Sequence, residues 1–129
     1  MEALWKLNSQ IGCDKDIVIT GGNRKQSSKL GAGSSSPHAQ GIAADIYVPG
    51  QLHLETANQA SESGIFGGVG WYEEGYRGPN GEGPHTHVDL RDGKARWGYP
   101  AKGPYMSGYF PKYKVQLNKD NCSCSRDGK

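Results

Sequence analysis

No apolar run in this chain is long enough for a membrane-spanning helix or for the core of a secretion signal, so neither is expected within this segment. Phenylalanine is scarce, with 2 residues, and only 34% of the chain is hydrophobic, which excludes a thick oily interior. Charge of one sign is missing as well. The formal net charge is +2, the Lys and Arg residues are scattered, and no basic run interleaves with aromatics. That excludes the electrostatic footprint of a nucleic-acid-binding protein. Cysteine is sparse: 3 residues cannot all pair within one chain, and Cys13 stands far from Cys122 and Cys124, so no disulfide framework is legible. The Cys122/Cys124 pair offers half the ligands of a structural zinc site and reads as two incidental thiols. Internal repeats are absent.

What remains is 129 residues, one domain's worth, expected as a monomer with a single modest core. With 20 Gly and 7 Pro, loops should take much of the length, and 3 Trp and 7 Tyr suit a surface cleft. Leu4, Leu7 and Ile11 fall at helical spacing, predicting a short helix that ends near Gly12. Asp16 to Thr20 is β-branched and reads as a buried strand, followed by a turn at Gly21 to Arg24 and a Ser/Gly/Lys-rich loop from Lys25 to Pro37. From Gly41 the pattern has period two: Ile42, Ala44, Ile46 and Val48 share a core face, and Ala43, Asp45 and Tyr47 share the other. Gln51 to Ser63 reads as a helix closed by Gly64, and Ile65 to Tyr72 as a core strand whose glycines permit close backbone approach. After a Gly/Pro-rich loop from Glu73 to Pro84, His85, His87 and Asp89 share one strand face and Thr86, Val88 and Leu90 the other. Asp92-Gly93 predicts a hairpin, with Lys94 to Tyr99 returning as the partner strand. The expected division is a domain over 1–110 and a flexible C-terminal extension over 111–129.

Three of the chain's 4 histidines gather with a carboxylate in two short stretches, around His38 and Asp45 and around His85 and His87. Zinc takes nitrogen and oxygen ligands tetrahedrally, and a catalytic site keeps three protein ligands and an open position. His38, Asp45 and His87 are read as that trio, with Gly41 letting the backbone bend between the first two. Mn²⁺ or Co²⁺ would suit the same donors. His85 is read as acting on the chemistry without binding metal, and Asp89 as orienting a ligand imidazole or else pairing with Arg91 or Arg96. His53 reads as an ordinary polar-helix histidine.

The stretch Ser36-x-His38-x-x-Gly41-x-Ala43-x-Asp45 resembles the signature of the D-Ala-D-Ala carboxypeptidase-type zinc peptidases, and His85-x-His87 is similar to the second signature of the wider lysostaphin, D-Ala-D-Ala and hedgehog-like group. Thr20 to Arg24 resembles the Ser-Gly-Tyr-Arg turn of these peptidases, and Phe66 to Tyr72 with His87-Val88-Asp89 and Arg96-Trp97 matches the spacing of bacterial members. The resemblance implies an α+β fold, a small antiparallel sheet backed by helices, with a peptide cleft over zinc. It implies zinc on His38, Asp45 and His87, substrate contacts from Arg24 and Ser36, a catalytic role for Arg24, and proton transfer or oxyanion stabilisation by His85. The substrates it implies are the stem peptides of bacterial cell-wall peptidoglycan, cut by a D,D-carboxypeptidase or an endopeptidase in the periplasm or extracellular cell wall. A domain of a larger secreted, phage or toxin protein is the expected context.

One departure stands out. Several relatives carry a catalytic acid three positions before the last histidine ligand, where this chain has Pro84. His85 is therefore favoured as general base, with Glu82 in reserve. The alternative readings are a zinc dipeptidase or amidase on small peptides, and a non-catalytic zinc domain that binds partners.

Overall fold

The computed structural model describes residues 2–21, 43–79 and 81–117. Arg24, Ser36, His38, Cys122 and Cys124 lie outside them, and so does the whole of the predicted 25–37 loop. Among the described residues two helices, α1 (Glu2–Ile11) and α2 (His53–Ser63), accompany six strands: β1 (Val18–Gly21), β2 (Ala43–Tyr47), β3 (Gly68–Tyr72), β4 (His85–Asp89), β5 (Ala95–Tyr99) and β6 (Met106–Ser107). The strands form one sheet in the order β1-β2-β4-β3-β5-β6. This is a small α+β fold.

The helices form where the apolar spacing demands them. Ala3, Leu4, Leu7 and Ile11 are the buried face of α1, and Gly12 ends it with φ 124°. The Asn8 amide then closes the end by donating to the Gly12 and Lys15 carbonyls at 3.2 and 2.8 Å. In α2, Ala57 and Ala60 are fully buried, and Gly64 closes the helix at φ 75°. No side chain at its N-cap serves the first turn; the Glu74 carboxylate does, accepting from the His53 backbone N–H at 2.7 Å. A carboxylate there also meets the positive end of the helix dipole.

Ala44, Ile46, Val69, Trp71, Thr86 and Val88 point from the sheet to the helix side and are buried. Gly98 has no Cβ because one would stand 2.9 Å from the Trp71 ring. Past the strands, Phe110 joins this core, Leu117 packs against it, and the Pro111 carbonyl accepts from Asn58 at 3.1 Å.

Three expectations about the strands are corrected. The sheet is mixed rather than antiparallel: β5 runs parallel to β3 and is not the hairpin partner of β4. Both edges of β4 are already taken by β2 and β3, so the chain after Gly93 crosses below β3 to its free edge, where Ala95 N–H donates to the Gly67 carbonyl at 2.8 Å. Secondly, β1 is an edge strand rather than a buried one, with Ile19 54% exposed. Thirdly, Leu90 lies beyond the end of β4 and is exposed rather than continuing its core face. Cys13, read as standing alone, is disulfide-bonded; the other cysteines of the chain lie outside the described residues.

Candidate active site

The face of the sheet turned away from the helices is built in rows, because side chains alternate along each strand and the strands are in register. Asp45, His87, Gly70 and Trp97 lie in one row across β2, β4, β3 and β5. His85, Tyr72 and Tyr99 lie in the next on one side; Ala43, Asp89, Gly68 and Ala95 lie in the next on the other. The two β3 glycines are what make these rows possible. A Cβ on Gly70 would stand 2.3 Å from the Trp97 indole, and one on Gly68 would stand 2.4 Å from both Asp89 carboxylate oxygens. Glycine therefore lets an indole and a carboxylate lean across the backbone of the strand.

Within the middle row, His87 Nδ1 is 3.2 Å from Asp45 Oδ1. His85 Nε2 is 3.7 Å from that same oxygen. The far nitrogen of His87, Nε2, meets Asp89 Oδ2 at 2.6 Å. Asp89 is fully buried and fully engaged: Arg91 donates to it from Nε at 2.8 Å, from Nη2 at 2.7 Å and from its backbone N–H at 3.1 Å. The Arg91 guanidinium in turn sits 5.2 Å over the Trp97 ring. Of the two partners read for Asp89 beside the imidazole, Arg91 makes the contact. Arg96 instead reaches the Gly67 and Ala95 carbonyls and the Ser61 hydroxyl.

These contacts set the charges. Burial alone would raise the Asp89 carboxyl, but hydrogen bonds from His87 and Arg91 outweigh it and hold the group well below the usual carboxylate range. Burial disfavours charge on His87, yet its hydrogen bonds to Asp45 and Asp89 and their negative charge raise its pKa. His85 is oriented differently. Its Nδ1 lies 2.8 Å from the Gly83 carbonyl, an acceptor, so Nδ1 carries a hydrogen there and Nε2 faces Asp45. Tyr72 stacks on that ring at 4.1 Å and 17°, and on Tyr99 at 4.9 Å and 20°. Burial pushes the Tyr72 hydroxyl up to about 12, against a hydrogen bond from Trp97 Nε1 at 2.9 Å.

A cleft of about 370 Å³ opens over this face, lined by Asp45, His85 and His87, by Tyr72, Tyr76 and Tyr99, and by Glu82. Among the described residues, no group of three His, Cys, Asp or Glu is arranged to hold a metal ion. The donors that are described nevertheless suit one: a carboxylate oxygen and an imidazole nitrogen face each other, and the second imidazole nitrogen is tied to a buried carboxylate. That outer carboxylate is the usual support of a metal-ligating histidine.

The chain is similar to the zinc D-Ala-D-Ala carboxypeptidase of Streptomyces albus G. The two are 35% identical over 104 residues, which take in 78% of this chain and 38% of that protein. This chain thus spans well under half the length of its relative. No family model matches the chain, and no solved structure does.

Of the residues singled out in the sequence, Asp45, His85, His87 and Glu82 meet in one cleft and Asp89 stands directly behind them. His53 is not in the cleft: it opens α2 beside Glu74, and burial lowers its pKa. Sequence reading missed Tyr72, Trp97 and Tyr99. The signal for Tyr72 was present, since Gly68, Gly70 and Tyr72 alternate on one strand face opposite Val69 and Trp71. Tyr99 gave none and Trp97 only its part in the Arg96-Trp97 motif, because their place depends on β5 joining β3.

Proposed function

We propose that this chain is the catalytic unit of a zinc peptidase that hydrolyses peptide bonds in bacterial cell-wall peptidoglycan, as a D,D-carboxypeptidase or an endopeptidase. The observation that carries the reading is the convergence of Asp45, His85 and His87 in one cleft, with Asp89 and Arg91 locking the far side of His87. The likeness to a zinc D-Ala-D-Ala carboxypeptidase supports it.

On this reading Asp45 and His87 Nδ1 hold the metal together with His38. The chemistry zinc supplies when bound is Lewis acidity, which polarises a carbonyl and acidifies water. His85, with its hydrogen fixed on Nδ1 by Gly83, offers Nε2 to take a proton from the attacking water and to pass it to the leaving amine. Glu82, on the rim of the same cleft, is the reserve base. Arg24 and Ser36 are assigned substrate contacts by resemblance. The open, tyrosine-lined cleft suits a segment of a polymer better than an enclosed dipeptide. The place of action is the periplasm or outer wall, and the working unit a monomer. A disulfide at Cys13 fits an oxidising compartment. Among the described residues no helix is long and apolar enough to cross a membrane.

The test is digestion of defined muropeptides by the zinc-loaded protein, with fragments identified by mass. New amine termini at one bond, lost on chelation and restored by zinc, are expected. Stoichiometric zinc binding with no cleavage would instead establish a partner-binding domain.

A further inference from the structure

We propose, resting on the peptidase reading above, that Tyr72 is a further catalytic residue whose phenolic O–H donates a hydrogen bond to the carbonyl oxygen of the bond being cut. The hydroxyl is oriented from one side by Trp97, whose Nε1–H donates to it at 2.9 Å. That bond occupies a lone pair and leaves the hydroxyl's own hydrogen to be aimed elsewhere. Among the described residues no acceptor takes that hydrogen. The ring has little freedom to turn away, being held between His85 and Tyr99 with Tyr76 edge-on at 5.3 Å. It lines the same cleft as Asp45, His85 and His87, and the charge of Asp45 reaches its hydroxyl. Because burial keeps the phenol protonated up to about 12, it remains a donor through neutral and mildly alkaline pH.

The chemistry such a donor serves is specific. As water adds to a peptide carbonyl, the carbonyl oxygen takes on negative charge, and a neutral donor already aimed at it stabilises that state more than the uncharged substrate. No proton is transferred to or from Tyr72. Its O–H bond stays intact while the hydrogen bond to the oxygen strengthens, and it weakens again when the C–N bond breaks. A tyrosine present only for packing would give the same stack without this effect.

Tyr72→Phe separates the two roles, since it keeps the ring between His85 and Tyr99 and removes only the hydroxyl. In the zinc-loaded full chain acting on a muropeptide, kcat should fall by roughly 10²-fold with KM and the thermal midpoint unchanged. Affinity for a phosphinic peptide, whose tetrahedral oxygen stands in for the charged carbonyl oxygen, should fall by the same factor as kcat/KM. Trp97→Phe should give a smaller loss of kcat, because the hydroxyl remains but is no longer steered. A Phe variant within about twofold of the parent, or one that raises KM at unchanged kcat, overturns the proposal. The two readings fail differently. A parent protein that cuts no wall peptide removes the peptidase reading and this one with it; an active parent with an undiminished Phe variant removes only the donor.

Discussion

Replacing Asp89 by Asn removes one negative charge from a fully buried position while keeping the volume of the side chain. The carboxylate now takes four hydrogen bonds: His87 Nε2 at 2.6 Å, Arg91 Nε and Nη2 at 2.8 and 2.7 Å, and the Arg91 backbone N–H at 3.1 Å. An amide accepts through its oxygen alone and turns its NH₂ towards donors. Breaking a buried ion pair on one side costs about 3–5 kcal/mol. With the Arg91 side chain 36% exposed and free to swing into solvent, a loss near the lower end, about 3 kcal/mol, is expected. Its pH dependence is the sharper test. Asp89 has a depressed folded pKa, so its contribution is complete above the ordinary value of 3.8 and fades as pH falls below it. His87 has a raised folded pKa, so the share owed to its charged form is complete below 6.5 and fades as pH rises through the raised value. The stability gap between parent and variant in metal-free protein should therefore be widest between those two values and narrow on both sides. Urea unfolding across that range measures it. In the same variant, zinc affinity by chelator competition should fall about 10- to 100-fold, the usual worth of a carboxylate behind a ligand histidine. A gap that stays flat with pH, together with unchanged zinc affinity, would refute the role given to Asp89.

Three further outcomes are expected. His85→Ala should retain zinc but lower turnover by roughly 10²- to 10⁴-fold; loss of zinc by metal analysis would make His85 a ligand instead. Gly70→Ala places a Cβ 2.3 Å from the Trp97 indole, so it should cost about 1–3 kcal/mol in thermal unfolding and shift the indole N–H resonance as Trp97 leaves Tyr72. Thiol titration of the denatured, unreduced chain should find one free thiol, because Cys13 and one partner account for two of the 3 cysteines, and reduction should raise the count to three. Two or more thiols before reduction would remove the disulfide.

The chain's local chemistry told much of this in advance. The spacing of Leu4, Leu7 and Ile11, the alternation through Ala44, Ile46 and Val48, and the Gly12 and Gly64 stops placed α1, β2 and α2 close to their observed bounds, because helix and strand periods are properties of neighbouring residues. The period of two also put His85, His87 and Asp89 on one face of β4 before any partner strand was known, and put Asp45 on the outer face of β2.

Which strand sits beside which is another matter. Sequence alone left Asp92-Gly93 as a hairpin, whereas the occupied edges of β4 send β5 to β3, and that single choice brings Tyr99 to the cleft and Trp97 against His87 and Tyr72. The pairing of Asp45 with His87, 42 positions apart, is likewise a matter of register. Side-chain type and local period depend on residues a few positions apart and can be read along the chain. Contacts between distant strands depend on which edges remain free once the sheet has assembled, and only the folded molecule decides that.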